Sequence, residues 1–599
     1  MRRRDLLKAG LALPLLPAAF STMAGALRGG AMSRVRPGDA AWPDTGAWED
    51  LRRQVGGRLL NPVSPFSGAA SATSRAEALR NLHNPYYLGD QVSLTQTSGW
   101  FGAWTSQPSP WAVAAESAAD VAAAVNFART HRLRLVVKGG GHSYQGTSCG
   151  ADALLVWTRP MNAVTLHDAF VPEGCEGHAA EHAVSLGGGC IWMDAYDAVT
   201  TRGGRYVQGG GCLTVGVAGL VQGGGFGHFS KRFGSAASNL LEAEVVTADG
   251  RVVIANPARN PDLFWALKGG GGGSFGVVTR VTLRTYELPQ FFGGVGGSIR
   301  AATDEAFRAL LDRFFAFYAS DMFNPRWGEH ITLRKDNVLN LTMMFQDMDD
   351  AAVKHAWSPF IDWVGQRSEY TLEEPVNVLT VPAQHLWDGA YFHEHFPGHM
   401  LNDERPGAPA RNIIWNGQQH EAGWFIHDYR SIWLPSSLLD DHRRAGLVDT
   451  LFRATRHHGM ELFFGKGMAG GTAESIRRTR DTSMNPQVLD AFALAIMGAD
   501  AEPAYPGMDP VHVDAAQARR DQRDLGAALA ELRKVAPAGG AYVSESDYFQ
   551  PNWQSAFWGT HYPRLLAVKR RYDPDGLFVV HHGVGSEDWS ADGFTRRAV

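Results

Sequence analysis

Between about residues 109 and 290, some segments have apolar residues at helical spacing and others have them at strand spacing. The segment SAADVAAAVNFARTH carries apolar side chains on one face behind Ser117, which suits the N-cap position, and it predicts a helix. The runs RLRLVVKGG and ALLVWT are short and apolar and predict strands. EHAVSLGGGC predicts a strand that ends in a turn, and IWMDAYDAVTTRG predicts the helix that follows it.

A hairpin is predicted next, in NLLEAEVVTADGRVVIAN. Asp249 and Gly250 form its tight turn between two apolar runs. NPDLFWALKGGGGGSFGVVTRVTLRTYEL predicts a short helix, a glycine loop and a strand with alternating apolar positions over residues 277–283. Because helices and strands are interspersed, with glycine at the strand ends, the pattern predicts the α+β fold class for residues 91–290.

The pattern changes after Pro289. Residues 291–535 have fewer glycine runs and more aromatic residues, so we predict a second domain there; its tryptophans include Trp327, Trp357, Trp363, Trp387, Trp415, Trp424 and Trp433. In the remaining segment, 536–599, RLLAVKRRYDPDGLF predicts a helix that ends at the turn DPDG.

The N-terminus has the layout of an export signal. Residues 1–26 begin with arginines, continue through an apolar stretch at 11–20 and end in small residues, as a signal peptide does. Arg3 and Arg4 resemble the address that the twin-arginine export machinery reads. An uncleaved membrane anchor is the alternative, but the apolar stretch is about half of the roughly 20 residues that span a bilayer. We therefore expect an exported protein, periplasmic or extracellular, with no membrane span and with a loosely packed N-terminal extension at 27–90.

Composition excludes some classes of function. The net charge is −5, so no basic balance indicates nucleic acid as a partner. Hydrophobic residues make up 44% and charged residues 20% of the chain, as in a soluble globular protein. The chain has four cysteines, which an exported protein could pair in three ways, and no CxxC spacing indicates a zinc site: Cys149, Cys175, Cys190 and Cys212.

Glycine is the compositional outlier, with 68 residues in a chain of 599. It clusters at 139–141, 187–189, 209–211, 223–225 and 269–273. Glycine permits close backbone approach and exposes N–H groups to an anion. Several such clusters at strand ends predict a large ligand held by backbone. GGGGSFG follows a helix and not a strand, and no G-x-x-x-x-G-K-[ST] occurs, so Rossmann and P-loop sites are disfavoured.

Four motifs together carry a family resemblance: KGGGHSYQGTS, GGGCLTVGVAGLVQGGGFG, NPDLFWALKGGGGGSFGVVT and RLLAVKRRYDPDGLF. They resemble the berberine bridge enzyme family, FAD-linked oxidases of the vanillyl alcohol oxidase superfamily, over residues 95–290 and 536–590. The resemblance implies a PCMH-type two-part FAD-binding domain, formed by 91–290 together with the returning segment 536–599. It also implies a substrate-binding domain at 291–535, built on an antiparallel sheet covered by helices.

The resemblance also implies how FAD is held. His142 matches the histidine that bonds covalently to the flavin, and Cys212 matches the cysteine that adds a second bond in some members. If so, at least one of the other three cysteines lies outside any intramolecular disulfide. The remaining cofactor-binding positions implied are Lys138 (where many members have arginine), Gly139, Gly140, Gly141, Ser143, Val215, Gly216, Gly224, Gly225, Gly227, Asn239 and Val278.

Two positions of the motifs affect the expected chemistry. Val215 matches the family's oxygen gate, where a small residue favours an oxidase over a dehydrogenase. Leu220 departs from the family, because many members have histidine there, which puts one hydrogen bond to the flavin in doubt.

The catalytic base is predicted near residue 542. The family carries a Y-x-N motif there, whereas GAYVSESDYF has Tyr542, then Ser544 in place of asparagine, then Glu545. In a strand, Tyr542 and Ser544 would face one side and Glu545 the other. Tyrosine has a pKa near 10, so it needs a nearby cation or a coupled carboxylate to act as a base. We predict Tyr542 as the base and Glu545 as the alternative.

The segment YFHEHFPGHM offers His393, His395 and His399. In a strand, His393 and His395 would share a face, but the spacing is not H-E-x-x-H. We expect no metal site, and we expect these histidines to line the substrate cleft or the surface.

The function predicted is an FAD-dependent oxidase, with FAD attached at both His142 and Cys212. It would oxidise a sugar, a phenolic alcohol or another alcohol by hydride transfer to the flavin, with O2 reduced to H2O2. A dehydrogenase with a quinone or protein acceptor, and a flavin-bearing binding protein without turnover, are the alternatives.

Overall fold

The structure is a computed structural model that describes residues 32–177, 179–509 and 513–597. The predicted export signal at residues 1–26 lies outside the described residues.

The described residues contain both short and long strands. In chain order they are β1 (Leu59–Leu60), β2 (Thr97–Trp100), β3 (Trp104–Thr105), β4 (Trp111–Ala114), β5 (Arg134–Lys138), β6 (Ala153–Trp157), β7 (Val164–Phe170), β8 (Glu181–Gly187), β9 (Arg205–Val207), β10 (Leu240–Val246), β11 (Val252–Ala255), β12 (Val277–Glu287), β13 (Phe291–Ala301), β14 (Trp327–Leu333), β15 (Val338–Gln346), β16 (Tyr370–Pro382), β17 (Met400–Asn402), β18 (Ile413–Trp415), β19 (Gly423–Pro435), β20 (Met460–Phe463) and β21 (Ala491–Ala501).

Helices alternate with these strands. In chain order they are α1 (Thr45–Gln54), α2 (Ala72–Arg80), α3 (Pro85–Asp90), α4 (Ala118–Thr130), α5 (Trp192–Tyr196), α6 (Val217–Gly223), α7 (Ser230–Phe233), α8 (Pro261–Leu267), α9 (Asp304–Phe317), α10 (Asp350–Gly365), α11 (Gly389–His395), α12 (Asp441–His457), α13 (Ala473–Arg480), α14 (Ala515–Leu532), α15 (Trp553–Trp558) and α16 (Tyr562–Tyr572).

A small sheet, in the order β1-β4-β6-β5, holds the first glycine loop. Strand β6 pairs in parallel with both β4 and β5. The predicted helix is α4, whose N-cap Ser117 exchanges hydrogen bonds with Asp120 in a capping box. Strand β5 ends at Lys138, so the glycines that follow lie at the edge of this sheet.

A second sheet, in the order β11-β10-β12-β8-β7, is antiparallel throughout, and β9 pairs with β12 beside it. The predicted hairpin is the pair β10 and β11. Helices α5, α6, α8 and α16 contribute buried side chains to the core of this sheet. This core is packed against the glycine loops that follow β8 and α8.

The largest sheet runs in the order β16-β13-β15-β14-β20-β21-β19-β2-β3. Its pairs are antiparallel except for β19 with β2. Helices α9, α10, α12 and α14 bury their apolar faces against it. An antiparallel sheet covered by helices is what the sequence predicts here, and the α+β fold class is confirmed. Strands β2 and β3 join this sheet although they lie between β1 and β4 of the small sheet in the chain.

The segment after residue 540 returns to the glycine loops. The Trp558 indole donates a hydrogen bond to the Gly269 carbonyl at 3.0 Å. A Cβ on Gly270 would lie 2.7 Å from the Leu565 side chain, so only glycine lets α16 pack this closely.

The N-terminal segment is packed more tightly than the sequence predicts. Helix α1 buries Trp48 and Leu51, and Trp48 stacks on Trp111 with ring centroids 5.0 Å apart. These helices are too short for a clear apolar period, so the sequence does not reveal their packing. Within the described residues, no helix combines the length and apolar character that crossing a membrane requires.

Candidate active site

A cavity of about 740 Å³ lies between the two smaller sheets and the largest one. Residues of β5 and β12 line it on one side, and residues of β15, β19 and β20 line it on the other. Its volume is in the usual range for a cofactor or substrate site. The glycine loops form much of the wall between these sides.

Two glycine loops meet at the bottom of the cavity. A Cβ on Gly140 would lie 2.6 Å from the Gly216 nitrogen and 2.9 Å from the Thr214 carbonyl oxygen. Gly141 has φ of +77°, a conformation that residues with a Cβ rarely adopt. Gly219 and Gly272, in contrast, line the cavity with nothing within 4 Å of a Cβ position. Glycine therefore makes a tight backbone floor with open space above it.

His142 and Cys212 lie together at this floor. His142 Nε2 is 3.0 Å from Thr214 Oγ1, and Cys212 Sγ is 3.8 Å from the same oxygen. Burial lowers the pKa of His142 to about 4, so its imidazole is neutral at neutral pH. Burial, with Glu421 nearby, raises the pKa of Cys212 to about 11, so its thiol is protonated. Thr214, which sequence reasoning missed, lies between the two.

Tyr542 and Glu545 face the cavity from a turn. The prediction of a strand is wrong here: Tyr542 and Glu545 form an isolated bridge across Val543 and Ser544. Since the chain reverses at once, both side chains line the cavity and do not point to opposite faces.

The surroundings of Tyr542 disfavour its ionisation. Burial and then the Glu545 carboxylate raise the pKa of Tyr542 to about 12. Its hydroxyl oxygen accepts a hydrogen bond from the Gly225 N–H at 3.1 Å. Among the described residues, Lys466 is the only cation paired with Glu545. Its Nζ is 2.5 Å from both oxygens of that carboxylate, so its charge is taken up by Glu545. A tyrosinate base would need the opposite environment.

Comparisons with known proteins identify the family to which this chain belongs. A family profile described as "FAD binding domain" matches residues 110–256, and one described as "Berberine and berberine like" matches residues 541–585. The VAO-type flavoprotein oxidase VAO615 of Thermothelomyces thermophilus is 30% identical, over 93% of this chain and 94% of its own. The chain belongs to the berberine bridge enzyme-like, VAO-type flavoprotein oxidases.

Solved structures share the fold of this FAD-linked oxidoreductase. The VAO-type flavoprotein MtVAO615 from Myceliophthora thermophila C1, crystallised at pH 5.0, has a TM-score of 0.76 and 26% identity, over 94% of this chain and 100% of that one. Glucooligosaccharide oxidase from Acremonium strictum, described with a 6-S-cysteinyl, 8α-N1-histidyl FAD, has a TM-score of 0.62 and 19% identity, over 84% and 95%. The second comparison bears on the fold alone.

The residues around the cavity fit FAD. Backbone N–H groups of a tight glycine floor suit a pyrophosphate. Gln222 Oε1, Gln418 Oε1 and His582 Nδ1 belong to residues that line the cavity, and each is buried without a hydrogen-bond partner among the described residues. Buried polar atoms are normally satisfied, so these atoms indicate a polar ligand.

Most of the predicted cofactor residues line the cavity of this oxidoreductase. They are Gly139, Gly140, Gly141, His142, Ser143, Cys212, Val215, Gly216, Gly227 and Val278. Leu220 also lines it. Gly224 and Gly225 lie one layer behind, where Gly225 donates to Tyr542.

Lys138 and Asn239 are turned elsewhere. Lys138 Nζ donates to the carbonyls of Gln91, at 2.5 Å, and Leu94, and burial lowers its pKa to about 7. The Asn239 amide donates to the Phe233 carbonyl at 2.8 Å. The structure therefore does not bring these two side chains to the cavity: each satisfies buried backbone carbonyls instead.

The histidines of YFHEHFPGHM lie outside the cavity. The strand prediction is wrong, because Gly389–His395 is helix α11. His393 Nε2 is 2.9 Å from Asn402 Oδ1, and His395 stacks on Tyr391 at 4.1 Å. The part of the chain that the structure describes holds no group of three or more His, Cys, Asp or Glu side chains able to bind a metal.

Three of the cysteines form no disulfide among the described residues. Cys149, Cys190 and Cys212 are not in disulfides among the described residues. Cys190 donates to the Ala163 carbonyl at 3.5 Å, and its burial raises the pKa of its thiol to about 12. Such a thiol is a poor nucleophile.

A group of titratable side chains at the cavity was missed by sequence reasoning. It consists of His228, Glu329, His330, Glu421, Glu461 and Lys466. These residues come from distant segments, and no local motif joins them. Only the fold brings them together.

Glu421 is a carboxyl of this group whose pKa is raised. It is exposed to the cavity and surrounded by protein, and burial, Glu461 and Glu545 raise its pKa to about 7. The unfolded chain releases this proton at a lower pH than the folded chain does. Ionisation of Glu421 therefore costs stability as the pH rises above about 5, with the full cost present above about 7.

Replacing Glu421 by glutamine should remove that cost. We expect Glu421→Gln to melt at a higher temperature than the wild-type protein at pH 8 and at the same temperature at pH 4, in thermal unfolding followed by circular dichroism. Glu394→Gln, at an exposed position of α11, should change neither value. Equal melting temperatures of wild type and Glu421→Gln at pH 8 would contradict the raised pKa.

Proposed function

We propose that this FAD-linked oxidase holds FAD through covalent bonds to both His142 and Cys212. The observation that carries the proposal is the approach of both side chains to Thr214 at one end of the cavity. Because Thr214 engages Nε2 of His142, Nδ1 is left to form the bond. The doubly linked FAD of the Acremonium strictum oxidase supports this arrangement.

The substrate that we propose is an alcohol: a sugar or oligosaccharide, or a phenolic or other alcohol. Bound FAD supplies a hydride acceptor and passes the electrons to O2, which gives H2O2. Trp415, Tyr429 and Phe463 offer aromatic surface to a substrate ring at the cavity wall, and Glu421 and Glu461 offer acceptors for hydroxyl groups.

Val215 supports an oxidase in preference to a dehydrogenase with a quinone or protein acceptor. It is half-buried, lines the cavity and follows Cys212 closely in the chain. A small side chain here leaves O2 room to approach the flavin end of the cavity.

The holoenzyme tests this function directly. Mixed anaerobically with cellobiose and, separately, with benzyl alcohol, it should lose its flavin absorbance with at least one of them. On exposure to air, we expect reoxidation within seconds and one H2O2 per reduced flavin. Val215→Leu should slow reoxidation about 10-fold or more, whereas Val164→Leu, in β7 away from the cavity, should not.

The other outcomes favour the alternatives. Slow reoxidation by air with fast electron transfer to a quinone would favour the dehydrogenase. No loss of absorbance with any alcohol of a wider panel would favour a flavin-bearing binding protein.

We also propose the division of the chain and its destination. Residues 91–290 with 536–599 would hold FAD, and 291–535 would hold the substrate. Residues 1–26 would direct export through the twin-arginine machinery to the periplasm or the medium. Retention of the Arg3→Lys, Arg4→Lys variant in the cytoplasm of a twin-arginine host would support export, and unchanged secretion would refute it.

A further inference from the structure

His228 and Glu329 meet at the cavity from two distant segments. His228 precedes α7, and Glu329 lies in β14. His228 Nδ1 is hydrogen-bonded to Glu329 Oε2. Both residues line the cavity, and 13% and 17% of their side-chain surfaces are exposed. The pair is therefore almost enclosed, with one edge open.

The hydrogen bond defines the tautomer of His228. An ionised carboxylate only accepts hydrogen bonds, so Nδ1 carries the proton and donates it. Burial opposes the charge on Glu329, but His228 and His330 outweigh it and hold the pKa of Glu329 far below its usual range. Nε2 is then the nitrogen that is left for a proton of the substrate.

The backbone of Glu329 is strained at this pair. Glu329 has φ of +68° while its strand still pairs with β15. A residue with a side chain adopts this conformation only where its surroundings enforce it, and such residues cluster at functional sites. A Cβ on Gly328 would lie 1.6 Å from the His228 carbonyl oxygen. The loop that carries His228 is thus packed directly on β14.

The open edge of His228 lies beside Gly211, next to Cys212, to which we propose that FAD is bound. A Cβ on Gly211 would be 3.1 Å from His228 Cε1 and 3.5 Å from Nε2, and Gly211 directly precedes Cys212. The absence of a side chain at Gly211 leaves this imidazole edge uncovered. Tyr542, in contrast, already accepts a hydrogen bond from Gly225.

We propose that Nε2 of His228 accepts the proton of the substrate hydroxyl, and that Glu329 positions the imidazole for it. This inference rests on the proposed alcohol oxidation. The O–H proton moves to Nε2, the carbinol hydrogen leaves with both electrons to bound FAD, and the C=O bond forms. O2 then takes up the two electrons, and two protons, including the one from Nε2, complete H2O2.

Other titratable groups surround the pair. His330 lies beside Glu329 on β14, Glu461 lies on β20, Lys466 follows that strand, and Cys212 follows Gly211. Burial alone would lower the pKa of His330, but Glu329 and Glu461 outweigh it and raise that pKa. A pH profile is therefore assigned to His228 only through its own variant.

The test uses anaerobic stopped-flow reduction of the holoenzyme by cellobiose or benzyl alcohol, from pH 5 to pH 9. We expect His228→Gln to lower the limiting reduction rate about 100-fold or more, within the range for loss of a general base. If a histidine is the base, we expect the wild-type rate to fall at acid pH and this fall to be absent in the variant. Tyr542→Phe should lower the rate less than 10-fold.

Glu329 is tested as a positioning residue. Glu329→Gln should lower the limiting rate about 10-fold with an unchanged substrate concentration at half-saturation, and Glu329→Asp should restore part of the rate. The visible spectrum of the bound flavin, which needs no turnover, should change with pH in the wild type and less in His228→Gln.

A second buried imidazole–carboxylate pair provides the matched control. His427 Nδ1 is 2.7 Å from Asp521 Oδ2, and neither residue lines the cavity. His427→Gln should leave both the rate and its pH dependence unchanged. Equal reduction of wild type and His228→Gln, with the same spectral titration, overturns the inference alone. Failure of every alcohol to reduce the wild type overturns the proposed function as well.

Discussion

Replacing both His142 and Cys212 by alanine should release all of the flavin when the protein is denatured. In an acid-precipitated sample run on an SDS gel, we expect the band of the double variant to lose its flavin fluorescence completely. Each single variant should keep a fluorescent band, because the other residue still bonds the cofactor. The two side chains lie within 3.0 and 3.8 Å of Thr214 Oγ1, so one cofactor can reach both.

The environment of each residue shapes the result. His142 is neutral because burial lowers its pKa to about 4, so it is a competent nucleophile at neutral pH. Cys212 has a raised pKa and must lose its proton first. We therefore expect the histidine bond to form faster than the cysteine bond. Cys149→Ala is the matched cysteine control and should keep a band of wild-type fluorescence. A wild-type band without flavin fluorescence would contradict covalent attachment.

Replacing Gly140 by alanine should prevent both stable folding and FAD loading. The new methyl group would lie 2.6 Å from the Gly216 nitrogen and 2.9 Å from the Thr214 oxygen, and both are backbone atoms. Backbone cannot move aside as a flexible side chain can, so the two glycine loops must separate. We expect a loss of at least about 2 kcal/mol in the free energy of unfolding, together with a flavin content near zero in the purified protein.

Gly446 provides the comparison for this substitution. It lies exposed in α12, with nothing within 4 Å of a Cβ position. Gly446→Ala should stabilise the protein by about 0.5–1 kcal/mol, because alanine loses less backbone entropy in a helix. Denaturant unfolding and the ratio of flavin to protein absorbance measure both variants. A Gly140→Ala protein with wild-type stability and flavin content would contradict the close packing of the loops.

The glycine loops show how much of the site the local sequence predicts. Their composition predicts close backbone approach, and the structure has that approach between Gly140 and Gly216. Lys138 and Asn239 belong to the same motifs, yet their side chains bind backbone carbonyls and not the cavity. Motif position alone does not decide side-chain direction, because backbone carbonyls of neighbouring segments accept hydrogen bonds from these side chains.

The region around Tyr542 shows more clearly what the local sequence does not predict. A strand pattern predicts that Tyr542 and Glu545 face opposite sides, whereas a turn places both at the cavity. The pKa of Tyr542 is set by its burial and by the Glu545 carboxylate, which the turn brings to the same cavity. The local sequence predicts neither.

The sequence by itself determined the α+β class, because apolar periodicity is a local property of the chain. Its glycine motifs carried the family resemblance, and that resemblance implied the antiparallel sheet covered by helices. The same motifs predicted His142 and Cys212, which the structure places beside Thr214 at the cavity. Only the tertiary structure decided which charges share the cavity. Glu329, Glu421, Glu461 and Lys466 come from different elements, as does His228. Their protonation depends on burial and on one another, and these are properties of distance in space and not of distance along the chain.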